Sequence, residues 1–536
     1  MAELKTDVLV LGAGMVGVSA ALHLQKRGRE VILVDRNEFA GEETSFGNAG
    51  LIECASVFPY MFPRDLSQIV QYALNRSPQA HYRLSDLPHF LPWLVRYFLA
   101  SSPDRALHSA IAELPLIQRS LAEHEALIAE AGVPELLRRT GWLKLFRSET
   151  SLANAAKDME RARQYGVPGE VLDSAAIAAR EPNLSGEFAG AIYLPTPGFI
   201  PDPGALAKAY AALFARKGGR FVVSDARTLE QSTGGWRVKG VAAREVVVAL
   251  GPWSDLVFRP LGYSIPLGIK RGYHLHLATR GNAMPAQPIL DFDLGYVLAP
   301  MNRGIRLTTG VEFARRDAPP NPIQIEQALP RAHALFPLGQ PIDAKPWMGA
   351  RPCLPDMLPV IGQAPRHAGL WFDFRTPAPW ADAGTCDRSA ARRNDDRRDD
   401  FRRSRAVCSR ALWLTICAGF KASGPILTPG PLASRGISRR YCPTLSRHAG
   451  ADMKVNVEID CTPLEARQFF GLPDVQPMQT AVMDKIQKQM LDNIQKVSPE
   501  ALMQSWFSFD PKIAERFADM FAAMTGLGVT RSSDKK

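Results

Sequence analysis

The 536-residue chain predicts an α/β fold that opens on a doubly wound parallel unit. Three features point there: an apolar run leading into a glycine-rich turn, alternating strand patterns further along, and long helical stretches between them. The run Val8-Leu9-Val10-Leu11 suits a strand buried on both faces. Gly12-Ala13-Gly14-Met15-Val16-Gly17 follows, then a helical pattern from Val16 to Lys26 and a stop at Gly28. Val31-Ile32-Leu33-Val34 reads as the second parallel strand and ends at Asp35.

Each part of this unit has a physical task. Gly12 permits the tight turn, Gly14 lets backbone approach a pyrophosphate, and Gly17 lets the helix pack closely on the strands. The helix N-terminus favours the diphosphate, and Asp35, 23 residues after Gly12, is placed to accept from ribose hydroxyls. Strand, turn, helix and acid in this order read as a dinucleotide site. The unit alone leaves FAD and NAD open.

Further strands are legible by alternation in Tyr273-His274-Leu275-His276-Leu277 and in Ile305-Arg306-Leu307-Thr308-Thr309. Residues 85 to 165 are helical in composition. No run reaches the 18 or more apolar residues of a membrane span, since Pro92 and Arg96 interrupt Phe90 to Ala100. Charged residues at the N-terminus lead straight into a strand, so no signal peptide is predicted and the expected location is cytoplasmic. The net charge of +10 suggests nucleic acid, but its distribution argues against that partner. Residues 375 to 450 hold fourteen Arg, one Lys, six Asp and no Glu, which leaves the rest of the chain nearly neutral. Four of the seven cysteines (Cys386, Cys408, Cys417, Cys442) lie there too. Cys54, Cys353 and Cys461 show no metal spacing and no disulfide framework, so no metal is expected.

Glu43-Thr44-Ser45-Phe46-Gly47-Asn48-Ala49-Gly50 resembles the flavin-contacting loop of the glycine/D-amino acid oxidase superfamily, most closely that of bacterial D-amino acid dehydrogenases. Three further matches follow in family order. Gly198-Phe199-Ile200-Pro201-Asp202-Pro203 precedes a helix from Ala205 to Arg216, with Asp202 as N-cap and Pro203 at its first position. Val246 to Ser254 is similar to the second flavin strand and turn. Trp347-Met348-Gly349-Ala350-Arg351-Pro352 leads through Asp356 and Pro359 to Ile361-Gly362. These motifs span residues 7 to 374.

The resemblance implies a Rossmann-type FAD domain (1–60, 195–256 and 345–374) interleaved with an α+β substrate domain on an antiparallel sheet (61–194 and 257–344). It implies FAD contacts from Gly12 to Gly17, Asp35, Arg36, Thr44, Ser45, Asn48, Ala49, Gly251 and Trp253. It also implies hydride transfer from a D-amino acid Cα to flavin N5, giving an imine and then a 2-oxo acid and ammonia. Arg351 takes the carboxylate-binding position, and a guanidinium fork suits that task. Tyr273 and His274 are candidates for the pocket wall, while Arg306 and Glu312 read mainly as architecture. Rival readings are a glycine- or sarcosine-type amine oxidase or demethylase, and a non-catalytic fusion product. The implied electron acceptor is a respiratory quinone or oxygen, with peripheral association at the inner membrane.

After Phe374 the family continues with a Gly-His-rich loop and a helix, whereas this chain has Arg375-Thr376-Pro377-Ala378. Residues 375 to 390 can be encoded so that reading from the second base gives Gly-His-Gln-His-Leu-Gly-Leu-Thr-Leu-Gly-Pro-Ala-Thr-Gly-Arg-Leu, the family's tail. The hypothesis is a one-base insertion just after Phe374, with residues 375–452 as disordered out-of-frame and spacer translation. Re-sequencing of the gene is expected to show the family tail once one base is removed; an alternative frame without it would sink the idea. Residues 453–536 read as a small helical module starting at Met453, with a capping box at Thr462-Pro463-Leu464-Glu465 and apolar residues every four positions from Met478 to Ile494.

Overall fold

The computed structural model describes residues 3–374 apart from 65, 76 and 78. The expectations for 375–452 and 453–536 lie outside the described residues.

The N-terminal strand Leu4–Leu11 is central because Val8 to Leu11 are apolar on both sides and wholly buried. It pairs in parallel with Val31–Asp35 on one edge and with Val241–Val248 on the other. Arg220–Val223 and Leu370–Phe374 extend the parallel run outward. Alternation divides the strand residues between two cores. Leu9, Leu11, Ile32 and Val34 meet Trp236, Phe258 and Phe372. Val8, Val10 and Leu33 meet Val18 and Leu22 of the first helix, with Tyr210 and Phe214 of another. Burial of each such Val or Leu contributes about 1.5–3 kcal/mol, which is why a glycine turn can be held rigidly at the strand's end.

The first helix spans Met15–Gln25 and packs against Pro203–Arg216. That second helix is capped as its sequence predicts: Asp202 accepts from Ala205 N at 2.9 Å, and Pro203 occupies its first turn. Each end of the unit is therefore set by local chemistry.

Among the described residues the second sheet has eleven strands. Its spine is Gly268–Thr279, which pairs antiparallel with Gly304–Thr308 and with Trp347–Cys353. The sheet is mixed rather than wholly antiparallel: Ile289–Asp291 runs parallel to Trp142–Phe146, and Val311–Phe313 to Ala80–Tyr82. Those pairs are distant in sequence, so no hairpin constrains their direction. The stretch 85–165 contains helices Leu87–Ala100, Pro103–Ala131 and Glu149–Arg163, but a strand, Trp142–Phe146, interrupts them. Helical composition concealed it because its neighbours dominate the window, while its own residues bury against Gly190–Leu194. No helix among the described residues is long and apolar enough to cross a membrane.

Candidate functional site

A cavity of about 670 Å³ opens beyond the carboxyl end of the first strand. Gly12, Ala13, Gly14, Met15, Val16, Asp35, Arg36, Thr44, Ser45, Asn48, Gly251 and Trp253 border it. Gly17 and Ala49 do not. Gly17 sits behind the turn, where a Cβ would come 1.8 Å from Gly12 O, and Ala49 is buried at 2 % exposure. Gly12 has φ +104°, and a side chain there would strike Ala249 O at 2.4 Å. The turn is therefore closed on its protein side and open on its cavity side.

Several features fit a dinucleotide. Gly14 gives the helix no side-chain cap and its first turn holds no acid, so N–H groups remain available for a diphosphate. Ser45 Oγ accepts from Met15 N at 2.9 Å, which ties the loop to the helix start. Asp35 accepts from Ala13 N at 2.7 Å and from Asn37 N at 2.9 Å. Those bonds fix the carboxylate at the strand end and leave acceptor capacity for ribose hydroxyls. Arg36 lies over the Trp253 ring at 4.3 Å and pairs with Glu43. The residues present match what FAD needs.

The face of the second sheet that carries His274 also carries Gly272, Gly349, Arg351 and Trp347, since His274 opposes Trp347 and Gly272 opposes Gly349. Arg351 does not border the cavity itself; Pro352 beside it does, and Ala350 O accepts from Thr44 Oγ1 at 2.5 Å. The Arg351 guanidinium lies across Gly272, where a Cβ would meet it at 2.4 Å. It is half-buried, and burial holds it below the ordinary arginine range. No described residue gives it a hydrogen bond or an ion pair.

Tyr273 and His274 face opposite sides of the strand. Tyr273 points to the opposite face of the strand, where its hydroxyl donates to Glu312 at 2.6 Å and accepts from Arg271 at 2.7 Å and Asn321 N at 2.8 Å. Its polar atom is fully used within the buried Arg271–Glu312 pair. His274 stacks on Trp347 with ring centroids 4.8 Å apart, and its Nδ1 lies 3.2 Å from Gly47 O. Burial, with Arg306 nearby, pushes its pKa down to about 3, so the ring stays neutral and is a poor base at neutral pH. Neither side chain borders the cavity.

What sequence reasoning missed is how the flavin-type loop is fastened. Arg306 donates to Phe46 O at 3.3 Å, to Asn48 O, and to His276 Nε2 at 3.1 Å. His276 in turn meets Asp343 at 2.7 Å through Nδ1. Together with His274, this chain pins residues 46–48 to the sheet. His274, His276 and Asp343 place three potential metal ligands within 4.8 Å, yet His276 Nε2 is engaged by Arg306 and Nδ1 by Asp343. A hydrogen-bond relay accounts for the cluster. Glu53 was missed as well: it borders the cavity, and burial raises its carboxyl against the opposing pull of Lys144.

The pattern of the family described as FAD dependent oxidoreductase (DAO) matches residues 7–377. That of a family of unknown function (DUF6489) matches residues 453–529. A D-amino-acid oxidase of Bradyrhizobium diazoefficiens is 32 % identical over 386 residues, covering 68 % of this chain and 89 % of the relative. A D-amino acid dehydrogenase of Xylella fastidiosa is 32 % identical over 378 residues, 68 % and 86 % of the two chains. Glycine oxidase from Geobacillus kaustophilus shares the fold with a TM-score of 0.53 at 22 % identity, over 69 % of this chain and 89 % of that one.

Proposed function

The chain belongs to the FAD-dependent oxidoreductase family, and from that premise we propose that it oxidises the C–N bond of D-amino acids. The observation that carries the proposal is Arg351. A guanidinium without a hydrogen-bond or ion-pair partner among the described residues, on the sheet face and one residue from the cavity wall, is poised for a substrate carboxylate. Bound FAD supplies the acceptor for the hydride leaving Cα. The protein orients the substrate: Arg351 holds the carboxylate, Gly272 lets the Arg351 guanidinium lie close over the sheet, and Gly349 does the same for the Trp347 ring. The Arg306 relay keeps the loop 46–48 fixed against that face.

Exposed Val95 and Leu99, and Leu107 and Ile111, form same-face pairs on two successive helices and support contact with a membrane surface. A quinone acceptor there is the reading they favour over oxygen. The test is a substrate panel on purified protein, with D-alanine, L-alanine, glycine and sarcosine, run in air and with vesicle-held quinone. Visible flavin bands and turnover of D-alanine faster with quinone are expected. Preference for glycine or sarcosine, or protein without flavin, would overturn the proposal.

A further inference from the structure

Gly268–Thr279 and Trp347–Cys353 place Lys270 directly opposite Arg351. Directly opposed residues share one sheet face with Cβ atoms about 5 Å apart, so two cationic side chains emerge side by side. Lys270 is 6 % exposed and Arg351 half-buried. No described residue gives either one a hydrogen bond or an ion pair. The Lys270 ammonium lies instead among aromatic rings, 4.4 Å from the centroid of Tyr97, 5.6 Å from Trp93 and 5.9 Å from Phe313. Cys353, two pairs along and opposite Gly268, adds no negative charge at neutral pH because burial raises its thiol.

Like charges directly opposite one another are unfavourable, and loss of solvent adds to the cost. Such a pair is complemented by a ligand with two acidic groups spaced for the two side chains. The rings around Lys270 would enclose the methylene groups between those acids.

We propose that Lys270 is a specificity-determining residue that selects dicarboxylic substrates. Arg351 takes the α-carboxylate and Lys270 the side-chain carboxylate of an acidic D-amino acid such as D-glutamate or D-aspartate. This rests on the D-amino acid reading above.

The test is calorimetric titration of the flavin-loaded protein with glutarate and with butyrate, which differ by the second carboxylate and are not oxidised. Wild type is expected to bind glutarate about tenfold more tightly or better, the worth of one charge-assisted hydrogen bond. Lys270→Met is expected to erase that preference and leave butyrate binding unchanged, while Lys270→Arg retains it. Equal affinity of wild type for the two acids overturns the proposal, as does an equal loss of both in folded Lys270→Met. If Lys270→Met does not fold, the wild-type ratio and Lys270→Arg decide alone. Turnover of D-alanine separates the two levels. Oxidation of D-alanine without a glutarate preference removes only the role of Lys270, whereas flavin-loaded protein that oxidises no D-amino acid removes the underlying reading.

Discussion

Gly17→Ala is expected to yield protein that folds but purifies without flavin. The added Cβ would sit 1.8 Å from Gly12 O and 3.0 Å from Gly12 C, and both are backbone atoms that no rotamer change can clear. Gly12 cannot yield, because it already holds φ +104° against Ala249 O. The helix Met15–Gln25 must therefore move away from the turn, and with it the N–H of Met15 that Ser45 now fixes. A shift of an ångström or so at a site built on N–H direction costs about 100-fold in affinity or more. The flavin-to-protein absorbance ratio after purification, and calorimetric titration of apoprotein with FAD, measure the effect. Gly28→Ala is the control. It also has positive φ, +74°, but nothing lies within 4 Å of its Cβ. It is expected to lose about 1–2 kcal/mol of stability and to keep its flavin. Flavin retained at wild-type affinity in Gly17→Ala would show that the turn does not hold the dinucleotide.

Arg351→Met is expected to lower kcat/KM for D-amino acids by about 10²–10³-fold, the cost of removing one partner of a buried charge pair. Arg351→Lys keeps the charge but loses the planar fork, so it should recover only part of that loss. Flavin content should not change in either variant, because the guanidinium lies over Gly272 and does not border the cavity. A free carboxylic acid that inhibits wild type should lose its hold on Arg351→Met in the same proportion. Steady-state kinetics and inhibitor titration read both. Unchanged kcat/KM in Arg351→Met would leave the carboxylate without its anchor and remove the main support for the proposed function.

The two predictions differ in how they could be reached. The clash that makes Gly17 critical is with Gly12, five residues away in the same turn, although Ala249 and Ser45 hold that turn in place. Such a motif can be read from order and spacing. Arg351 stands in a motif marked only by its resemblance to the family, since nothing local distinguishes its guanidinium from one in a surface ion pair. Its surroundings depend on Gly272 and Lys270, about 80 residues earlier in the chain.

Tyr273 and His274 show the limit from the other side. They are adjacent and both polar in an alternating strand, and alternation says only that they face opposite ways. Which way is useful depends on register. One residue joins the Arg271–Glu312 pair, and the other stacks on Trp347 across the strand from it. The Arg306 relay is still less visible from sequence, because its acceptors are backbone carbonyls of residues 46 and 48. A carbonyl carries no side-chain identity for a sequence to display.

By itself the sequence determined the parallel nucleotide-binding unit, its glycine turn, the capped helix at Asp202 and the apolar faces that build the two cores beside them. Local sterics and hydrophobic periodicity decide those features. Only the tertiary structure decided that Tyr273 joins the Arg271–Glu312 pair, that His274 and Arg306 fasten the loop 46–48, and that Lys270 and Arg351 stand opposite each other without a counter-ion among the described residues. Those outcomes depend on strand register between segments far apart in the chain, and a shift of one residue would send each side chain to the other face.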